Sequence, residues 1–289
     1  MSEVNEANEV SQFKTQAKII WCQGCGNFGI LTALENALKK LNLNPNQVVA
    51  VYGIGCHSHM ANYLRVYNFE GIHGRTLPIA TGVKIANRKL KVISIAGDGD
   101  QLGEGANHLV HASRKNPDIT CLIHNNQIYS LTVGQASPTS EKGIKTKTTP
   151  QGVVDQQLNP LALAIASGAT FVARSFSGDV PHLTKILIEA INHKGFSLVD
   201  ILQPCISLNY INTFAWYRER IYRLEKTGYL PNDKNLAFAK AQEWGEKIPT
   251  GIFYKEERLT LEDQLLGKDT VLADQPLDIL VKDLLKEFL

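Results

Sequence analysis

Between residues 28 and 202 the apolar positions follow two patterns in turn. One is the short continuous run: Val48–Ile54, Val92–Ala96, Ile119–Ile123, Phe171–Ala173 and Leu198–Leu202. The other is apolar residues three and four apart, as at Ile30, Leu31, Leu34, Ala37 and Leu38. Continuous apolar runs indicate strands covered on both faces, and 3.6-residue spacing indicates helices with one buried face. The helices predicted this way span Phe28–Leu41 (with Asn27 as its cap), Leu77–Lys89, Gly103–Arg114, Pro160–Ser167 and Val180–Lys194. Strands alternating with helices predict an α/β fold, a mostly parallel sheet with helices on both faces. Residues 1–17 read as a polar N-terminal arm, 18–209 as the α/β domain, and 134–152, rich in Gly, Ser, Thr, Pro and Lys, as a loop. From Asn209 the alternation stops. Residues 210–289 read as a C-terminal extension with a charged helix (Ala215–Leu224), a second helix (Asn235–Trp244) and an acidic amphipathic C-terminus (Leu277–Leu289).

Composition narrows the class. The 289 residues are 44% hydrophobic and 20% charged, with a formal net charge of +2, and no basic patch interleaves with aromatics, so nucleic acid is not an expected partner. The apolar stretches are too short to span a bilayer, and Met1–Gln16 is polar with three Glu; a cytoplasmic protein is expected. Five cysteines in such a chain favour metal or redox roles over disulfides.

In an open parallel sheet, ligands bind at the carboxyl ends of the strands. Gly53-Ile54-Gly55-Cys56 follows the first run, Gly97-Asp98-Gly99 the second, Asn125-Asn126 the third, and Pro204-Cys205 the last. Mg²⁺ takes hard oxygen ligands and combines one or two protein side chains with phosphate oxygens. Asp98 offers a carboxylate, Asn126 a carboxamide oxygen and Ile128 a backbone carbonyl. Gly97 and Gly99 allow phosphates close to the backbone, and the helix that follows aims N–H groups at them. Gly-Asp-Gly alone is also a common tight turn. The 26 residues between Gly99 and Asn126 (100–125) are one helix plus one strand, which sets both ligands on adjacent strand ends. Cys22-Gln23-Gly24-Cys25, with Cys56 and Cys205, makes four thiols that suit zinc or a 4Fe-4S cluster. Cys121, mid-strand, reads as a small buried hydrophobe.

Gly97-Asp98-Gly99 followed by Asn125-Asn126 resembles the thiamine diphosphate motif. Ile54-Gly55-Cys56, His73-Gly74-Arg75, Gly97-Asp98-Gly99-Asp100, Asn125-Asn126-Gln127-Ile128-Tyr129, Gly134-Gln135-Ala136-Ser137-Pro138-Thr139 and Pro204-Cys205 are similar, in order, to blocks of the β subunits of 2-oxoacid:ferredoxin oxidoreductases. Asn212-Thr213, Trp216-Tyr217-Arg218-Glu219-Arg220 and Gly251-Ile252-Phe253-Tyr254 extend the resemblance, which runs from about Trp21 to Glu257. It implies the diphosphate-binding half of a thiamine diphosphate fold. The cofactor, with its Mg²⁺ on Asp98, Asn126 and Ile128, would sit among Gly55, Cys56, His73, Gly74, Gly97, Gly99, Asp100, Leu131 and Thr132.

The resemblance also favours a 4Fe-4S cluster on Cys22, Cys25, Cys56 and Cys205. The implied reaction is oxidative decarboxylation of a 2-oxoacid with coenzyme A, giving acyl-CoA, CO₂ and reduced ferredoxin. The aminopyrimidine-binding half is not found in the chain, which implies an α subunit as partner. A non-oxidative decarboxylase or synthase subunit, and a zinc-stabilised α/β scaffold, remain competing readings. Two turns are expected to meet substrate, the one holding His57, Ser58 and His59 and the one from Leu131 to Gln135. Some relatives that act on dicarboxylates carry Lys in these turns. His59 and Val133 stand there instead, so a 2-oxoacid with a small neutral side chain, such as pyruvate or 2-oxobutyrate, is expected. Alternation turns His124 away from the ligand side.

Overall fold

A computed structural model describes residues 12–275 and Lys286. Eight strands form one sheet in the order β2-β1-β3-β4-β8-β7-β10-β9. In chain order they are β1 (Val48–Tyr52), β2 (Tyr67–Glu70), β3 (Lys91–Gly97), β4 (Ile119–Asn125), β7 (Phe171–Phe176), β8 (Ser197–Leu202), β9 (Ile221–Arg223) and β10 (Ile248–Lys255). Every neighbouring pair is parallel except β7 and β10. The short pair β5 (Ile128–Tyr129) and β6 (Gln135–Ala136) forms a separate antiparallel hairpin.

β1, β3, β4, β7 and β8 are almost entirely buried, as their continuous apolar sequences require. Alternate side chains feed two cores. Ala50, Ile93, Leu122 and Val199 meet α1 (Asn27–Lys40) and α5 (Val180–Asn192) on one face. Val51, Val92, Ile123 and Leu198 meet α2 (Thr76–Ala86), α3 (Ala106–Lys115), α4 (Pro160–Ser167) and α7 (Lys234–Ala241) on the other. The predicted parallel sheet with helices on both faces is thus what forms.

The C-terminal extension does not stand apart. The charged helix expected over Ala215–Leu224 is α6 (Phe214–Arg220), after which the chain becomes β9, and Ile248–Lys255, where the apolar pattern predicts no strand, becomes β10. Both complete the sheet. Arg174 of β7 anchors this edge: it pairs with Asp200 at 2.9 Å, and its guanidinium lies 5.3 Å from the Trp244 ring and 5.7 Å from Phe253. At the other end Phe13, within the expected polar arm, is fully buried in the core, and Lys14 bridges to Leu64. The expected amphipathic C-terminus lies outside the described residues apart from Lys286.

The start of α1 is fitted closely to the loop after β7. A Cβ on Gly29 would stand 2.0 Å from the Ser177 carbonyl oxygen, a contact with backbone that no rotamer relieves. Gly29→Ala should therefore destabilise the fold by about 1–3 kcal/mol, the usual cost of overpacking. A denaturant melt checks this, and an unchanged midpoint would contradict the packing.

Candidate active site

β1 has β2 on one side and β3 on the other, so the chain reverses its winding there. Open α/β sheets form their ligand crevice outside the strand ends at such a point. A cleft opens there, and the residues after β1, β3, β4 and β8 line it.

β3 ends at Gly97, and the chain passes through Asp98 into a wide π-helical turn, Gly99–Glu104, before α3. The helix expected from Gly103 therefore begins at the glycine motif itself. Asp98 is buried, and its Oδ2 accepts hydrogen bonds from Ser137 Oγ and Thr139 Oγ1, both at 2.6 Å. Burial pushes its pKa above the ordinary carboxylate value, with the two hydroxyls and the Asn126 amide opposing. Gly99 has no room for a side chain, since a Cβ would lie 2.3 Å from the Tyr129 ring; the Tyr129 hydroxyl donates to the Gly99 carbonyl. On the next strand end Asn126 Oδ1 accepts the Ile128 N–H at 3.0 Å, which fixes the carboxamide.

Asp100 lies deeper. Its Oδ1 accepts the amides of Gly74 (2.6 Å) and Ile54 (3.2 Å), while His73 Nδ1 and His57 Nε2 stand 3.4 and 3.6 Å from the carboxylate. Burial raises its pKa, but His57 and these amides outweigh burial and hold the carboxyl below its usual range. His124 Nε2 is buried, borders the cleft and has no hydrogen-bond partner, while His57 Nε2, His73 Nδ1 and Asp100 Oδ2 border it with only their longer contacts to one another. Buried polar groups normally find close partners, and this set of weakly satisfied ones suits a polar ligand.

Four thiols gather beside the cleft. Gly26 N–H donates to the Pro204 carbonyl at 3.2 Å, which ties the Cys22–Cys25 turn to the Cys205 loop. Ser130 Oγ donates to Cys56 Sγ at 3.3 Å, and Gln203 Nε2 to Cys25 Sγ at 3.4 Å. The same Ser130 and Gln203 side chains lie 3.3 and 3.4 Å from the Asn126 amide nitrogen, so both link the thiols to the cleft. Burial pushes the Cys25 thiol up to about 11, and Cys205, Cys56 and Cys22 add to the shift. Cys205 is also raised by burial, against the amides of Ser207 and Leu208 directed at its sulfur. Among the described residues no group of three or more His, Cys, Asp or Glu is placed to hold a metal ion. Cys121 is buried inside β4, apart from them.

The structure brings together at the cleft most of the positions expected to bind cofactor: Gly55, Cys56, His73, Gly97, Asp98, Gly99, Asp100, Asn126, Ile128, Leu131 and Thr132. Gly74 contributes its amide to Asp100 and does not line the cleft. His59 lies in a short helical turn, Ser58–Asn62, and Val133 on the exposed β5–β6 turn at φ +76°; neither borders the cleft.

Two expectations are corrected. Asn27 is not the cap of α1, whose cap is Gly26. Its buried side chain instead meets His124, Nδ1 to Oδ1, at 2.8 Å. His124 consequently turns toward α1 and borders the cleft rather than facing away. Ser137, Thr139 and Gln203 were not identified as site residues. Their only signal was membership of the Gly134–Thr139 and Pro204-Cys205 blocks or adjacency to them.

Comparison with known proteins fits this geometry. Residues 53–201 match the family described as thiamine pyrophosphate enzyme, C-terminal TPP binding domain. Residues 205–268 match the family of the C-terminal part of the pyruvate ferredoxin oxidoreductase beta subunit. The chain is 46% identical over 285 residues to 2-oxoacid:ferredoxin oxidoreductase 1, subunit beta, of Aeropyrum pernix, covering 93% of this chain and 90% of that one. It is 44% identical over 269 residues to the 2-oxoacid:ferredoxin oxidoreductase subunit beta of Saccharolobus solfataricus, covering 89% and 88%. A solved structure of 2-oxoglutarate:ferredoxin oxidoreductase from Magnetococcus marinus, with 2-oxoglutarate, coenzyme A and succinyl-CoA bound, superposes with a TM-score of 0.86 at 35% identity, covering 90% and 89%.

Proposed function

The chain belongs to the β subunits of 2-oxoacid:ferredoxin oxidoreductases, and from that premise we propose how its cleft serves the reaction. Asp98, Asn126 and the Ile128 carbonyl hold Mg²⁺, and through it the diphosphate of thiamine diphosphate. The observation that carries this is the convergence of a buried carboxylate and a fixed carboxamide from adjacent strand ends on one cleft. Hard oxygen donors with room for phosphate oxygens are what Mg²⁺ requires. Bound there, thiamine diphosphate supplies the carbanion chemistry that decarboxylates a 2-oxoacid.

The protein's own part is to bind and orient. The turn from Gly99 presents backbone amides at a helix start, a favourable place for phosphate. His73, held beside Asp100, faces the same space. Cys22, Cys25, Cys56 and Cys205 are assigned to a 4Fe-4S cluster, whose chemistry is to accept single electrons on the way to ferredoxin. An α subunit supplies the aminopyrimidine-binding half, and coenzyme A takes the acyl group. Ile54 and Leu131 are exposed apolar residues that line the cleft, suited to cover by such a partner.

Metal analysis with a visible spectrum of anaerobically purified protein tests the assignment. About four irons per chain and a broad absorbance at about 400 nm are expected; one zinc without colour would overturn it in favour of a zinc-stabilised scaffold.

The substrate proposed is a 2-oxoacid with a small neutral side chain. Among the described residues no Lys or Arg lines the cleft, and an uncompensated carboxylate in a partly dry site costs several kcal/mol. The enzyme reconstituted with its α subunit should show a higher kcat/KM for pyruvate than for 2-oxoglutarate, by roughly 10-fold or more, since about 1.4 kcal/mol is a factor of ten. The reverse order would place the missing cation on the α subunit and end this preference.

A further inference from the structure

The segment 134–152 reads from sequence as a loop, yet its first part is buried and hydrogen-bonded on several sides. Ser137, Thr139 and Ser140 are buried. Ser140 Oγ donates to the Gln127 carbonyl at 2.5 Å and accepts the Ser137 N–H at 2.9 Å. The Pro138 carbonyl accepts the Leu158 N–H, and the Thr139 carbonyl accepts Gln157 Nε2, both at 2.8 Å. From the far side Glu141 Oε1 accepts Asn212 Nδ2 at 3.0 Å and Trp244 Nε1 at 3.1 Å, so the C-terminal part of the chain holds the loop in place.

What this scaffold presents is a pair of hydroxyls. Ser137 Oγ and Thr139 Oγ1 both stand 2.6 Å from the same oxygen of Asp98. Thr139 has one proton and two acceptors, Asp98 Oδ2 and Asn125 Oδ1 at 3.0 Å. The shorter contact favours Asp98. The pair grips one edge of the carboxylate and so sets the plane in which the group faces the cleft. Outer hydrogen bonds of this kind orient a metal-binding carboxylate, and their loss typically weakens metal affinity by about 10- to 100-fold.

We infer that Ser137 and Thr139 are positioning residues: two hydroxyls, fixed by a loop that the C-terminal part of the chain braces, orient the Asp98 carboxylate for Mg²⁺. The inference rests on the assignment of Asp98 to the metal made above. Neither residue touches cofactor or substrate in this role; each acts through Asp98.

The test uses the enzyme reconstituted with its α subunit and reads the Mg²⁺ concentration that half-saturates thiamine diphosphate binding, by calorimetry or tryptophan fluorescence. Ser137→Ala and Thr139→Val should each raise it, and together raise it by about 10- to 100-fold. Excess Mg²⁺ should restore binding. Thr139→Ser keeps the hydroxyl and should stay near wild type, which a purely volumetric role for the side chain would not give. Should the double variant fail to fold, the single variants carry the test. Unchanged half-saturation in both single variants overturns the inference. Asp98→Ala in the same titration separates the two levels: if it loses Mg²⁺ dependence while the hydroxyl variants keep theirs, only the positioning role fails. If Asp98→Ala also binds normally, the metal assignment fails with it.

Discussion

Asp98→Ala is expected to abolish Mg²⁺-dependent binding of thiamine diphosphate while leaving the fold in place. The loss should exceed the about 10- to 100-fold typical of outer-shell changes, because a ligand itself is removed. The fold should survive for a reason that can be tested separately. Burial holds the Asp98 pKa above its ordinary value, so the charged form is the disfavoured one in the metal-free protein. The sign follows from linkage. A carboxyl whose folded pKa is raised contributes stability that is fully present below its unfolded pKa and is lost as pH rises through the folded pKa. The stability of the metal-free wild type should therefore fall as pH rises through the raised pKa, while Asp98→Asn, which does not titrate, should lose this part of the pH dependence. Asp98→Ala removes the same group and takes the shortest acceptor from Ser137 and Thr139, which keep only longer contacts to Asn125, Ser140 and each other, at a cost of about 1 kcal/mol. Isothermal calorimetry of cofactor binding at several Mg²⁺ concentrations, beside thermal melts, checks both halves. Wild-type affinity in Asp98→Ala would sink the metal assignment.

The second large effect concerns iron. Serine at Cys22, Cys25, Cys56 or Cys205 should each remove most of the roughly four irons per chain and the absorbance at about 400 nm. Cys121→Ser should remove none. Cys22 is exposed, Cys25 and Cys56 are half-buried and Cys205 is buried, so the four differ in accessibility. Even so, hydrogen bonds link their segments: Gly26 N–H to the Pro204 carbonyl ties the Cys22–Cys25 turn to the Cys205 loop, and Gln203 and Ser130 reach Cys25 and Cys56 and both meet Asn126 Nδ2. Cys121 lies in β4, fully buried within the core of the opposite face. Anaerobic purification followed by iron quantification distinguishes the positions. Full iron in Cys205→Ser, or iron loss in a folded Cys121→Ser protein, would dismantle the ligand set.

Much of this site was legible because its signals are local. Five strands covered on both faces must be nearly continuous apolar runs, and the residues just past them must lie at the sheet's carboxyl edge. That logic places Asp98, Asn126, Cys56 and Cys205 together without knowledge of the strand order. The resemblance carried by the same residues adds the cofactor. β2, β9 and β10 were not legible. Tyr67–Glu70 is exposed throughout, Ile221–Arg223 has three residues, and Ile248–Lys255 contains Pro249 and Gly251, both of which weaken a strand. These segments are strands because a preformed sheet edge offers them partners.

What the sequence alone determined was therefore the α/β architecture and which residues stand just past its strands, Cys56, Asp98, Asn126 and Cys205 among them, with Cys121 inside one. Only the tertiary structure decided how these groups are held. The pairing of β8 with β4 brings Gln203 to Asn126 and Cys25. The packing of α1 turns Asn27 inward to His124. The loop after β6 delivers Ser137 and Thr139 to Asp98 across 39 and 41 residues of chain. Apolar periodicity and turn chemistry act over a few residues and can be read along the chain. Hydrogen bonds between segments this far apart have no local signature, because their geometry exists only once the sheet has set the distance between them.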